Sequence, residues 1–115
     1  VMHKIREIVF FDTYFHRFYF EQNKRVQDKI DWLIELVETN QKLSSNHMKS
    51  IRNVKGLFEL RVMLGTNCWR IFCLFDAGNI VVLLKGFVKK DQKTPKREIE
   101  KAKLLMHKYH EERKR

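Results

Sequence analysis

Three apolar stretches between Lys55 and Lys90 carry charges that an apolar strand does not ordinarily hold. Glu59 and Arg61 lie in the first, Arg70 in the second, and Lys85 and Lys89 in the third. With a period of two, Leu60, Val62 and Leu64 leave one side of the first stretch, and Glu59, Arg61 and Met63 leave the other. The second stretch separates Arg70, Phe72 and Leu74 from Trp69, Ile71, Cys73 and Phe75. The third separates Lys85, Phe87 and Lys89 from Val82, Leu84 and Val88. A charge inside such a strand needs water, a partner or a ligand. If the register brings Arg61, Arg70, Lys85 and Lys89 to one surface, a phosphate is a fitting ligand. The planar fork of arginine grips two phosphate oxygens and stays charged. Lysine serves as a point cation or, with its pKa depressed in a crowded cationic site, as an acid or base.

The secondary structure around these charges is readable in chain order. Gly65-Thr66-Asn67 and Asp76-Ala77-Gly78-Asn79 separate the three stretches and are rich in turn residues, which predicts three consecutive antiparallel strands. Ile5–Phe11 reads as an earlier strand. Asp12-Thr13 offers capping side chains before a helix over 14–20, although the same stretch could extend the strand. Val26, Ile30, Leu33 and Val37 follow the i, i+4, i+7, i+11 pattern of an amphipathic helix, and Trp32, Ile34 and Leu36 widen its apolar arc toward a second neighbour. Residues 12–39 therefore form an αα-hairpin or one bent helix. Residues 40–54 lack a period and are expected to be an irregular connection, with a turn of helix around Met48 and Ile51. Within it His47 reads as an exposed, solvated side chain. After the strands, Thr94 is the expected N-cap and Pro95 the first helical residue. Ile99, Ala102, Leu105, Met106 and Tyr109 share one face of the helix that follows, and the tail 111–115 is expected to fray. Gly86, alone inside a strand, marks a bulge or a close backbone approach.

The chain has 115 residues and fits one α+β domain over 1–115. Its net charge is +10, and residues 85–115 alone carry twelve basic against five acidic residues. Such a surface favours nucleic acid first, an acidic protein second and an anionic membrane third. Cys68 and Cys73, five apart, fall on opposite faces of one strand, so neither a disulfide nor a metal spacing is expected. No stretch approaches the roughly 20 apolar residues of a membrane span, and no signal peptide is legible. A soluble cytoplasmic protein is the expectation.

The segments Val54-Lys55-Gly56-Leu57-Phe58-Glu59-Leu60-Arg61-Val62, Trp69-Arg70-Ile71-Phe72, Leu84-Lys85-Gly86-Phe87-Val88-Lys89-Lys90 and Lys93-Thr94-Pro95, with Glu98-Ile99 and Ala102, together resemble the RelE/HigB superfamily of toxins. The likeness is to its phage-derived HigB-like branch and extends over residues 54–103. Trp69 stands where relatives carry Tyr, and Lys85 stands where they carry His. The Tyr or His base of some relatives has no assigned counterpart here. The resemblance implies a small RelE-like fold: an N-terminal strand and helical hairpin packed on a mainly antiparallel sheet, with a C-terminal helix. It implies a type II toxin that cleaves translated mRNA on the ribosome without metal or cofactor, and a cognate antitoxin, often with a helix-turn-helix domain.

Cleavage by internal attack of a 2′-OH requires that hydroxyl to be deprotonated, the phosphorane's charge stabilised and the 5′-oxygen protonated. Arg61, Arg70 and Lys89 are the expected groups for phosphate stabilisation and proton transfer, and Glu59 orients Arg61 or acts as base. Lys55, Lys85, Lys90 and Lys93 are expected to bind RNA. Phe87 is expected either to stack on a base or to pack in the sheet. A non-catalytic RNA-binding module or an inactive toxin relative would present the same cations.

Overall fold

In a computed structural model describing residues 3–90 and 93–114, the chain forms a single five-stranded sheet with helices on both faces. Its elements in order are β1 (Glu7–Phe10), α1 (Tyr14–Phe20), α2 (Lys24–Thr39), β2 (Met48–Ser50), β3 (Leu57–Leu64), β4 (Asn67–Asp76), β5 (Ile80–Lys89) and α3 (Lys96–Arg113). The sheet order is β1-β5-β4-β3-β2, antiparallel throughout except for the parallel pairing of β1 with β5. The α+β class, the helical hairpin and the C-terminal helix are as the sequence reads. Asp91, Gln92 and Arg115, which the sequence reading placed in the loop before α3 and in the tail, lie outside the described residues.

The apolar periodicities explain the layers. α2 buries Val26, Ile30, Leu33 and Val37, the expected stripe, and is capped by the Asn23 side chain accepting from the Val26 amide at 3.0 Å. α1 and α2 cover the sheet face that carries Leu60, Val62, Trp69, Ile71 and Cys73. α3 covers the opposite face, where Ala102, Leu105, Met106 and Tyr109 meet Leu57, Phe72 and Leu74. Gly86 marks a close approach: a Cβ there would lie 2.4 Å from the Phe18 ring, so glycine lets α1 settle onto β5. Gly65, with φ +63°, makes the two-residue turn between β3 and β4.

Several expectations are corrected. Residues 48–50 are not a turn of helix but β2, which pairs Lys49 with Glu59 across the sheet edge. On β5 the alternation breaks: Phe72 pairs with Lys85 but Cys73 pairs with Leu83, leaving Leu84 as an extra residue. Leu84 and Val82 consequently pack on the α3 side with Phe87, and not opposite it. Thr94 makes no cap for α3, whose N-cap is Pro95 with no side-chain cap bond. The helix continues to Arg113, tied by Arg113 Nε to Asp76 at 3.2 Å. Trp32 stays out of the core at 44% exposure.

Candidate phosphate-binding site

The register of β3, β4 and β5 puts Glu59, Arg61, Arg70, Phe87 and Lys89 on the α3 face. Arg61 lies directly across from Arg70, Arg70 across from Phe87, and Lys89 beside them opposite Cys68. Two arginines on adjacent strands repel, and a carboxylate between them offsets that repulsion. Glu59 Oε1 lies 3.6 Å from Nε of Arg61 and 3.6 Å from Nε of Arg70. These contacts are ionic but too long for hydrogen bonds. Both Nε donors are buried and without an acceptor. An unmet buried donor of this kind costs on the order of 1–3 kcal/mol. Glu59 and Arg70 are each only 4% exposed, so the carboxylate and the second guanidinium form the floor of the site.

Thr94 completes that floor. Its hydroxyl donates to Glu59 Oε2 at 2.9 Å, joining the segment before α3 to the centre of the sheet. The residue whose sequence position suggests a helix cap thus orients the buried carboxylate. Above the floor opens a cleft of about 410 Å³ lined by Lys49, Ser50, Ile51, Arg52, Glu59, Arg61, Lys89, Lys93, Thr94 and Ile99. Five of these carry positive charge and only Glu59 carries negative charge. The Arg61 guanidinium is held at the rim by its Nη1 donating to the Ser45 carbonyl at 3.2 Å. Burial, with the Arg70 guanidinium beside it, lowers the Lys89 pKa from the usual 10.5, against an opposing pull from Glu59. A neutral lysine is therefore easier to reach here than at an open surface.

The remaining expected residues fall in different places. Lys93 lines the cleft. Lys55 is exposed in the β2–β3 connection, in a shallow depression that adjoins the cleft through Ser50, Ile51 and Arg52. Lys90 is exposed just past the end of β5. Lys85 is on the same sheet face, but its ammonium is bound by Glu98 of α3 at 2.6 Å, which fastens the helix to β5. Phe87 is 8% exposed and stacks on Phe72 with centroids 5.4 Å apart, so its ring belongs to the core and offers no open face to a base. Sequence reasoning missed Lys49, Arg52 and the role of Thr94. Lys49 and Arg52 lie in a stretch with no periodicity, and only the pairing of β2 with β3 brings them to the cleft.

His47 rests its ring edge against Trp32 at 5.5 Å and shares a hydrogen bond between Nδ1 and Ser44 Oγ at 3.2 Å. Cys73 is fully buried, which pushes its thiol up to about 12 and leaves it inert. Among the described residues no group of three or more His, Cys, Asp or Glu side chains could hold a metal ion. No helix among them is long and apolar enough to cross a membrane. The site can bind a phosphodiester with fixed cations, and it places a lysine of lowered pKa beside that anion.

A family model described as phage-derived protein Gp49-like (DUF891) matches residues 18–107, a span that includes every residue lining the cleft. A search of curated proteins finds no match.

Proposed function

The chain belongs to the phage-derived Gp49-like family, which is associated with RelE-like toxins, and on that premise we propose that it is the toxin of a type II toxin–antitoxin pair, of the HigB-like branch. Its activity on this reading is ribosome-dependent cleavage of translated mRNA. The observation that carries the reading is the cleft: five cations around one buried carboxylate, with two guanidinium Nε donors left unmet. A phosphodiester entering the cleft meets the Arg61 guanidinium at the rim and the Lys89 ammonium beside it, and its charge offsets the excess of cations around Glu59.

In the reaction proposed, the 2′-oxygen attacks the adjacent phosphorus, and the bond from phosphorus to the 5′-oxygen breaks. The products are a 2′,3′-cyclic phosphate and a 5′-hydroxyl. Neutral Lys89 accepts the proton of the 2′-OH, since its lowered pKa makes that form accessible. Arg61, at the rim, stabilises the charge that builds on the phosphorane oxygens. Arg70 works from beneath, holding Glu59 in place and adding to the field that depresses Lys89. Lys49, Arg52 and Lys93 attract the flanking phosphates, and a cleft ammonium returns a proton to the leaving oxygen. Lys55 and Lys90 extend the positive surface toward ribosomal RNA.

An antitoxin that neutralises this protein would cover the same cleft with acidic or apolar segments, because an open surface of this charge binds RNA indiscriminately. Expression of the toxin alone is expected to arrest bacterial growth. Primer extension on a translated message then shows new 5′ ends that disappear when translation is blocked. Equal cutting of naked RNA would remove the ribosome from the reading. Binding without any cutting would leave a non-catalytic RNA-binding module.

A further inference from the structure

We propose that the cleft on the α2 side of Arg61 is a nucleobase-binding subsite, built on Trp32. The inference rests on the phosphate-cleft reading and adds to it the recognition of a base. This second cleft has a volume of about 320 Å³, and its lining includes Lys29, Trp32, Asn46, His47, Arg61 and Met63. Arg61 lines both clefts, so a nucleotide whose phosphate lies at its guanidinium has its base within reach of the second.

The exposure of the apolar groups is what asks for a ligand. Trp32 on α2 is 44% exposed and Met63 on β3 is 54% exposed, both in the lining of this cleft, although both elements send their neighbouring apolar residues into the core. The Trp32 and His47 rings meet in an edge arrangement, with centroids 5.5 Å apart and an interplanar angle of 67°. Its face is occupied by the Lys29 ammonium, 4.3 Å from the centroid. That cation marks a ring face open enough for a flexible surface side chain to reach, and a base can take its place while Lys29 turns to a phosphate. Asn46 lines the same cleft, and its carboxamide offers both a donor and an acceptor to a base edge. Phe87, the aromatic inside the sheet, is closed by Phe72, so Trp32 is the aromatic available to the RNA next to Arg61. The Lys29 ammonium and the Arg61 guanidinium in its lining favour a nucleotide over an apolar side chain of a protein partner.

The test measures binding of a short labelled single-stranded RNA at low salt by fluorescence anisotropy. The same oligonucleotide carrying one abasic nucleotide serves as the comparison. Trp32→Ala is expected to weaken binding of the intact RNA by roughly 5- to 160-fold, the range contributed by one stacked base. Trp32→Phe should restore most of the loss, and the wild-type protein should bind the abasic RNA about as weakly as Trp32→Ala binds the intact one. RNA should also quench the tryptophan emission of the wild-type protein, whereas inorganic tripolyphosphate should not. That measurement, with Met63→Ser as a second variant, keeps the test decisive if Trp32→Ala folds poorly. Normal RNA affinity in Trp32→Ala together with a loss in Arg61→Ala would overturn the base subsite and leave the phosphate cleft standing. Normal affinity in both variants would overturn the RNA reading itself. Unchanged RNA binding in Trp32→Ala with lost binding of an acidic protein partner would reassign the cleft to that partner.

Discussion

Replacing Glu59 with Gln separates the two tasks given to this carboxylate: holding two arginines together and keeping the anion site occupied. Each guanidinium lies 3.6 Å from Oε1, where an effective dielectric of about 20 gives roughly 4–5 kcal/mol per pair. The Arg61 contact is discounted because that side chain is 24% exposed and partly screened by water. Glutamine also avoids the desolvation that a buried carboxylate suffers, and it can still accept from Thr94. Breaking a buried pair of this kind then costs on the order of 3 kcal/mol net. For a chain of this size that corresponds to a fall of roughly 12 °C in Tm. The lost charge also leaves the two guanidiniums without a counter-charge, so the cleft attracts an external anion more strongly. Added sulfate is therefore expected to raise the Tm of Glu59→Gln far more than that of the wild type. Sulfate at a hundred times its Kd contributes about 2.7 kcal/mol. Melts followed by circular dichroism, with chloride matching the ionic strength, read both effects. The reasoning fails if Glu59→Gln melts with the wild type, or if sulfate shifts both proteins equally.

Arg61→Ala is expected to lower single-turnover cleavage on saturating ribosomes by a few hundredfold, on the order of 3–4 kcal/mol, with a much smaller loss of ribosome binding. Normal cleavage once bound would remove Arg61 from the chemistry. Arg70→Met should shift the pH dependence of cleavage upward, since the cation that helps depress Lys89 is gone; an unchanged profile would argue that Arg70 serves packing alone. Lys89→Met should raise Tm near neutral pH. The folded protein holds the Lys89 proton less tightly than the unfolded chain, so its penalty is full below the lowered pKa and fades as pH rises toward 10.5. A gain that grows with pH would contradict this sign. Gly86→Ala should destabilise by about 1–3 kcal/mol through overpacking on Phe18, and Phe18→Leu in the same chain should recover part of the loss. Additive melting shifts in that pair would rule out the close approach as the cause.

Much of the fold is legible because burial imposes a period. The stripe Val26-Ile30-Leu33-Val37 defines α2, and the turn residues between β3, β4 and β5 define the hairpins. The bulge at Leu84 is not legible, because Val81, Val82, Leu83 and Leu84 are all buried and a uniformly apolar run carries no alternation to break. β2 is hidden for another reason: three residues have too little periodicity to register, and pairing with β3 creates the strand. At the site, Glu59, Arg61, Arg70 and Lys89 stand out as charges among apolar neighbours. Lys49, Arg52 and Thr94 are ordinary surface types in polar segments, and only the tertiary fold gives them a place. Trp32 is the opposite case: its place in the apolar arc of α2 predicts a second neighbour, and the ring is 44% exposed.

The lengths of the strands make the floor of the cleft and its outer wall unequally firm. The floor lies on the central ladder, where β4 and β5, ten residues each, pair along nearly their whole length. The outer wall is β2, a three-residue edge strand paired in the sheet with β3 alone. Local opening of a protein begins where few backbone bonds must break, so β2 exchanges its amide protons first and the central ladder last. Lys49 and Arg52 move with that outer wall, while Glu59, Arg61, Arg70 and Lys89 stay on the central strands. The width of the cleft is thus set by its least stable strand, and its charge centre by its most stable ones. On the function proposed here, a bulky RNA would be admitted by a small displacement at the edge, with no disturbance of the groups proposed to meet its phosphate.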